Sequence, residues 1–170
     1  MAPTPNPKSK SSASERGAAE LPAAEATRTA WDRSVRLLAA HDRSTHEIRV
    51  RLEASDTSPE IIASTISRLH ELHYLDDERF ARATAETAAR RGHGSDRVRA
   101  ELAAKGVVEA VVDAAVAVAF ADERVLVQQA LTRRFPIPPQ AARERAKAAR
   151  FLLQRGFPEA LVLAILDEGC

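Results

Sequence analysis

The chain has 170 residues and a formal net charge of +1, so it is long enough to bury a core but too weakly charged for bulk electrostatics to drive nucleic-acid binding. Its single cysteine, Cys170, excludes an internal disulfide framework and a multi-thiolate metal site. The aromatic residues are few beside the abundant Ala, Leu, Arg and Glu, which predicts an all-α fold. Because no signal peptide and no apolar run of roughly 18 residues is present, we expect a cytoplasmic protein without a membrane partner.

The chain divides into a tail and three repeats. Residues 1–26 contain four prolines and no sustained apolar periodicity, so they bury too little surface to offset their ordering entropy. We expect a disordered tail there. Three-helix repeats are predicted over residues 27–74, 75–120 and 121–170, stacked into an elongated, curved array.

The first repeat begins with a predicted helix over about residues 28–40. Ser44 and Glu47 then have the spacing of a capping box, in which a hydroxyl and a carboxylate satisfy the free amides at a helix start. The pattern predicts a second helix from there to about residue 54 and a third helix opening at Pro59.

The second repeat opens with a strong helix start. Asp76 is placed as the N-cap, and Asp77 adds a negative charge near the positive end of the same helix. Residues 90–94 (Arg-Arg-Gly-His-Gly) are predicted to end this helix; they follow a helix and lack a third glycine, so they do not resemble a nucleotide-binding loop. Ser95 is predicted to cap the next helix and Gly106 to end it.

The third repeat follows three closely spaced prolines, and its middle helix is predicted over about residues 139–155, ending at Gly156. Apolar residues recur in all three repeats at an interval of 50 residues. The positions in step are Ile48, Val98 and Ala148; Leu52, Leu102 and Leu152; Ile61, Val111 and Leu161; Ile62, Val112 and Val162; and Ile66, Val116 and Leu166. Each repeat has apolar faces too small to form a core alone, so we expect neighbouring repeats to stack.

Three segments carry a family resemblance: Leu37 to Ser44 with Glu47, Arg51 and Leu52; Leu75 to Ala81, which includes Phe80; and Gly94 to Gly106. They resemble the family of the bacterial regulatory protein RecX, and the resemblance extends over about residues 31–168. It implies tandem three-helix units, in agreement with the helices predicted above. Two departures are visible: residues 53–56 (Glu-Ala-Ser-Asp) replace the usual basic residue and glycine, and His93 stands where an aromatic residue is common.

The resemblance implies a function as well as a fold. RecX proteins bind the RecA recombinase filament on single-stranded DNA and inhibit its recombinase, ATPase and co-protease activities in DNA repair and the SOS response. We therefore expect a regulatory protein that is not an enzyme, with no cofactor and no metal, acting as a monomer on the RecA filament. A further partner that we expect is DNA itself, bound weakly.

Basic side chains form two clusters, one within residues 90–105 and the other within residues 131–155. Either cluster would suit an acidic groove of a protein filament, or phosphates. One set, Arg143, Lys147 and Arg150, recurs at i, i+4 and i+7 on the third repeat's middle helix. For each basic residue, a solvated helix face without a partner is the alternative. The residues predicted to bind RecA or DNA phosphates are Arg90, Arg91, Arg97, Arg99, Lys105, Arg133, Arg134, Arg143, Lys147 and Arg150.

Several acidic residues are assigned structural roles. Glu101 lies four residues from both Arg97 and Lys105, which predicts an ion-pair ladder along one helix. Asp76 and Asp77 are adjacent, so their side chains diverge, and capping explains them better than a catalytic carboxylate pair. The structural set is Ser44, Glu47, Asp76, Asp77, Phe80, Glu101 and Gly106.

Two other classes of protein fit parts of the pattern. A helical nucleic-acid-binding module acting directly on DNA would also use basic helices, but the net charge is close to zero and no single recognition helix dominates. A helical solenoid scaffold fits less well, because its repeats of about 34 to 47 residues are shorter than the observed interval.

Overall fold

The structure, a computed structural model, describes residues 11–168, with side chains described from residue 22 onward. Residues 1–10 of the expected tail and Cys170 lie outside this range. Within this range the regular secondary structure is entirely helical, without strands, which confirms the all-α prediction. The helices are α1 (Ser11–Ala40), α2 (Thr45–Glu53), α3 (Pro59–Glu71), α4 (Asp77–Arg90), α5 (Ser95–Ala104), α6 (Glu109–Ala119), α7 (Glu123–Arg134), α8 (Ala142–Gln154) and α9 (Glu159–Glu168).

Helix α1 begins well before the expected boundary near residue 27. Residues 11–26 are helical, whereas the proline content predicted disorder there. The side chains of residues 22–29 are all exposed, so this part of the helix owes nothing to burial. Alanine and glutamate are strong helix formers, and residues 23–26 (Ala-Ala-Glu-Ala) are made of them, which explains why the helix continues despite Pro22.

The helices form two compact units. The first takes in the described chain up to Asp42 together with Ile48–Leu75, and the second takes in Arg43–Glu47 and the chain from Asp76 onward. In the first unit α1 packs on α3; in the second, α4 packs on α5 and α6, and α7 packs on α8 and α9.

Burial follows the 50-residue repeat. Three separate core clusters form, one for each predicted three-helix repeat. Four of the five sets of residues in step, those beginning with Ile48, Leu52, Ile62 and Ile66, are at most 7% exposed, whereas Ile61, Val111 and Leu161 are only partly buried. The spacing therefore marked equivalent core positions.

Two predicted helix starts are confirmed. The Ser44 hydroxyl accepts from the Glu47 amide at 3.1 Å, and the Glu47 carboxylate accepts from the Ser44 amide at 3.0 Å, so the capping box is complete. At the start of α4, the Asp76 carboxylate accepts from the Arg79 amide at 2.9 Å.

The prediction for Ser95 was wrong. Gly94 is the N-cap of α5, and Ser95 is its first helical residue. The amide and the hydroxyl of Ser95 both donate to the Glu123 carboxylate, each at 2.7 Å. Asp77 acts in the same way: besides opening its own helix, it accepts from the amide of Thr45 at 2.8 Å. In both places a carboxylate at the start of a later helix accepts a hydrogen bond from a free amide at the start of an earlier helix.

Gly106 ends α5 as predicted, and Gly156 ends α8 in the same way. Their φ angles are +68° and +79°, and the amides after each helix return to its last carbonyls. Both glycines also lie against an earlier segment, because an added Cβ would lie 2.4 Å from His46 Cγ at Gly106 and 2.3 Å from Arg97 Cβ at Gly156.

Hydrogen bonds accompany these two close approaches. The Ser44 hydroxyl donates to the Lys105 carbonyl at 2.6 Å, and the Gly94 amide donates to the Arg155 carbonyl at 2.8 Å. Both bonds join residues 61 positions apart. The contact between the start of one middle helix and the end of the next thus recurs with the repeat.

Candidate functional site

A groove of about 710 Å³ lies in the second unit, lined by the C-terminal ends of α4 and α8 and by one face of α7. We call it the arginine groove. It is lined by Ala89, Arg90, Arg91, Gly92, Leu126, Gln129, Ala130, Arg133, Arg134, Phe151 and Arg155.

Four of the five arginines that line the groove lie at the C-terminal ends of α4 and α7. Arg90 and Arg91 lie where α4 stops at Gly92, whose φ of +72° lets the chain turn away, as the sequence predicted. Arg133 and Arg134 form the last turn of α7. Basic residues are favourable at helix C-termini, where the peptide dipoles leave partial negative charge. The arginines that stabilise these helix ends are therefore also the ones that charge the groove.

Arg155 fixes one wall of the groove. Its Nη1 donates to the carbonyls of Gly92 at 3.1 Å and Arg91 at 3.3 Å, and its guanidinium lies 4.7 Å from the centre of the Phe151 ring. These contacts tie the end of α4 to α8. Arg155 was not predicted as a site residue, although its place one residue before Gly156, in step with Lys105 before Gly106, was a usable signal.

The floor of the groove is apolar. Phe151 is half-buried, and its ring meets that of Phe135 edge to face, with centroids 5.8 Å apart. Leu126 and Ala130 of α7 complete the floor. Sequence reasoning missed it because apolar residues at helical spacing indicate a core and do not reveal where that core is left open.

The groove is electropositive because no acid lines it. Arg90 is partly neutralised, since it lies 3.9 Å from the Glu86 carboxylate and donates to Thr87 Oγ1 at 2.9 Å. Arg91 and Arg133 are exposed, and neither forms an ion pair within 4.0 Å in the described part of the chain. Their guanidinium groups are therefore available to an anionic partner.

Arg97 lies in a neighbouring depression that it shares with Arg91, His93 and Glu101. Burial, reinforced by the nearby charges of Arg97, Arg155 and Arg91, lowers the pKa of His93 below its ordinary value. Neutral His93 therefore adds no charge to this region near pH 7.

Arg99 and Lys105 have partners within their own repeat. Arg99 pairs with Asp113, and the Lys105 ammonium lies 3.8 Å from the Glu101 carboxylate and 5.0 Å from the centre of the Phe80 ring. The predicted ladder is thus formed on its Lys105 side. Over residues 22–168, no ion pair within 4.0 Å completes it at Arg97.

Arg143, Lys147 and Arg150 are exposed along α8, as their spacing predicted, and line a depression together with Glu144. We call these three residues the α8 stripe. Of the ten predicted binding residues, the arginine groove therefore brings together Arg90, Arg91, Arg133 and Arg134, and the others lie elsewhere.

The described residues hold no group of three or more His, Cys, Asp or Glu side chains arranged to bind a metal ion. None of the helices that the structure describes is long and apolar enough to cross a membrane.

Comparison with known proteins identifies the family. The model of the first three-helix domain of RecX matches residues 30–69, and the model of the second matches residues 76–116. The regulatory protein RecX of Cronobacter sakazakii is 37% identical over 137 residues, which cover 74% of this chain and 83% of that protein. The regulatory protein RecX of Chromohalobacter salexigens is 40% identical over 129 residues, which cover 76% of this chain and 85% of that protein.

Solved structures show the same fold. The crystal structure of RecX from Lactobacillus salivarius superposes with a TM-score of 0.70 at 19% identity, covering 85% of this chain and 97% of that one. A crystal structure of a regulatory protein RecX gives a TM-score of 0.73 at 23% identity, covering 91% and 77%. The chain belongs to the RecX family of regulatory proteins.

Proposed function

We propose that this protein binds the RecA filament on single-stranded DNA as a cytoplasmic monomer and inhibits its recombinase, ATPase and co-protease activities, without catalysing a reaction itself. Membership of a family of regulatory proteins supports a role in control of another protein. The observation that carries the proposal is the arginine groove, which combines five arginines, Arg91 and Arg133 among them without an ion pair in the described part of the chain, with an apolar floor.

Such a groove suits binding to a protein surface. Arginine beside aromatic and aliphatic side chains is the composition that dominates binding energy at protein interfaces. A filament also presents the same surface many times along its length. A protein with several basic surfaces can therefore add individually weak contacts into stable binding, because the later contacts form at high effective concentration.

RecA-catalysed ATP hydrolysis on single-stranded DNA provides the test. Increasing amounts of this protein should slow hydrolysis progressively, and electron microscopy of the same samples should show additional density on the filament or shorter filaments. The proposal fails if hydrolysis and filament length are unchanged at a large molar excess of the protein.

A second candidate is direct binding to DNA, favoured by the exposed α8 stripe. Binding through phosphate contacts would weaken steeply with salt, since each contact releases a condensed counterion. Measuring the protein's affinity for single-stranded DNA with and without RecA separates the two candidates. Equal affinity in both cases, with a steep salt dependence, would favour the DNA-binding module over the RecA regulator.

A further inference from the structure

We propose that the arginine groove binds an acidic peptide segment of its partner, with carboxylates facing Arg91 and Arg133 and one apolar side chain against the floor made by Leu126, Ala130 and Phe151. The inference that the occupant is an acidic peptide follows from the residues that line the groove. Only the assignment of that peptide to RecA rests on the proposed function.

Charge complementarity selects an anionic occupant. The lining contains five arginines and no acid, and Arg91 and Arg133 have no ion-pair partner within 4.0 Å in the described range. A guanidinium group can hold a carboxylate through two parallel hydrogen bonds, which gives direction as well as affinity. Two such groups lining the same groove would hold two acids of one short segment.

The floor favours a peptide over a nucleic acid. Single-stranded nucleic acids bind by stacking bases on open aromatic faces. Phe151 is poorly suited to this, because the Arg155 guanidinium lies 4.7 Å from its ring centre and the Phe135 ring packs against it. An aliphatic side chain, which needs no open ring face, can instead pack against Leu126, Ala130 and the remaining surface of Phe151.

The groove is also preformed. Its volume of about 710 Å³ is within the range of clefts that enclose small ligands. The wall formed by the end of α4 is held to α8 by the hydrogen bonds from Arg155 to the carbonyls of Arg91 and Gly92. Little order has to be gained on binding, which favours affinity for a short segment.

The test uses the full chain and a fluorescently labelled, end-blocked pentapeptide of four acidic residues around a central leucine, with binding followed by anisotropy. We expect saturable binding that weakens about tenfold or more in the variant Arg91→Ala/Arg133→Ala, as is usual for arginine hot spots. The matched control, Arg28→Ala/Arg49→Ala, removes two exposed cations of the first unit that belong to neither the groove nor the α8 stripe, and it should change affinity less than about twofold. Thermal melting should show both variants folded.

Two altered probes test the two halves of the site. Replacing the acids by their amides should abolish binding, and replacing the central leucine by glycine should weaken it several-fold. Equal binding of the amide peptide would overturn the proposal, as would no saturation at millimolar concentration. It would also be overturned if a twelve-nucleotide oligothymidylate bound more tightly than the acidic peptide and lost affinity in the groove variant alone, since the occupant would then be a nucleic acid.

The RecA assay distinguishes this inference from the proposed function. If the acidic peptide binds the groove but the parent protein leaves RecA ATP hydrolysis unchanged, the groove chemistry stands and the proposed function fails. If the parent inhibits RecA but does not bind the peptide, the proposed function stands and this inference fails.

Discussion

At the residue scale, positions 56, 106 and 156 all adopt a left-handed backbone, yet only the last two are glycines. Asp56 has a φ of 54° and is exposed. Gly106 and Gly156 instead lie against His46 and Arg97, at distances that leave no room for a Cβ. The departure from glycine in the first repeat therefore occurs where the left-handed turn is exposed.

Replacing Gly156 tests this explanation. Gly156→Ala should lower the free energy of unfolding by more than the roughly 1 to 2 kcal/mol that a left-handed backbone costs a residue with a Cβ, because Arg97 must also move. The matched control, Asp56→Gly, changes the side chain at an exposed equivalent position and should stay within about 0.5 kcal/mol. Urea denaturation measures both, and equal effects would contradict the close-approach argument.

Asp76 makes the stability of α4 depend on pH. The hydrogen bond from the Arg79 amide lowers the pKa of this carboxyl below its ordinary value of 3.8. A group whose pKa is lower in the folded state stabilises the fold above its unfolded pKa, and this stabilisation is lost as the pH falls through the folded pKa.

Asp76→Ala should therefore cost about 1 kcal/mol near pH 7, the usual value of an N-cap. The difference between parent and variant should shrink once the pH falls below the ordinary pKa of 3.8. Urea denaturation at a series of pH values checks this. A difference that stays constant from neutral to strongly acidic pH would rule out the ionised carboxylate as the cap.

At the element scale, acids from later in the chain accept hydrogen bonds at the starts of the first two middle helices, in α2 in addition to its own Glu47. Asp77 accepts from the amide of Thr45, and Glu123 accepts from the amide and the hydroxyl of Ser95. The middle helix of the last repeat, α8, uses its own Glu144, which accepts from the amides of the two residues before the helix at 3.2 and 3.3 Å. Helix capping thus also joins the start of α7 to α5 in the second unit.

Glu123→Gln tests the strength of this link. The amide side chain keeps the size but loses the negative charge that faces two donors of Ser95 at a helix start, so we expect a loss of about 1 to 2 kcal/mol. Glu109→Gln is the control, because Glu109 lies exposed in the first turn of α6. Thermal and urea denaturation should show a small effect for the control, and a similarly small effect for Glu123→Gln would mean that the cross-repeat cap contributes little.

At the scale of the whole molecule, the protein has two basic surfaces that could contact the partner, the arginine groove and the α8 stripe. The arginine groove and the α8 stripe both lie in the second unit, but they have separate linings. The groove combines charge with an apolar floor, whereas the stripe is a set of exposed cations. The two surfaces therefore predict different consequences of mutation.

Reversing the charge of Arg143, Lys147 and Arg150 together should weaken inhibition of RecA ATP hydrolysis if the stripe contacts the filament. Folding should survive, because all three side chains are exposed while Ala148 and Leu152 hold the buried face of α8. Full inhibition by the folded triple variant would exclude the stripe as a contact surface. Inhibition should then depend on the groove, and Arg91→Ala/Arg133→Ala is the comparison variant.

The sequence by itself determined the features that depend on neighbours along the chain. The caps at Ser44 and Asp76, the glycine stops and the recurring core positions were all predictable, because their hydrogen bonds and periodicities lie within a few residues. The helical start of α1 was missed because the proline content of residues 1–26 outweighed the alanine-rich stretch around Pro22 in that prediction.

Only the tertiary structure decided which distant residues meet. Glu123 reaches Ser95 across 28 residues of chain, and Arg91 and Arg133 share one groove although they belong to different repeats. Phe151 becomes a floor because α7 and α8 leave its side chain partly uncovered. The physical reason is that a local pattern specifies which face of a helix is apolar or charged, whereas packing between repeats sets what that face lies against.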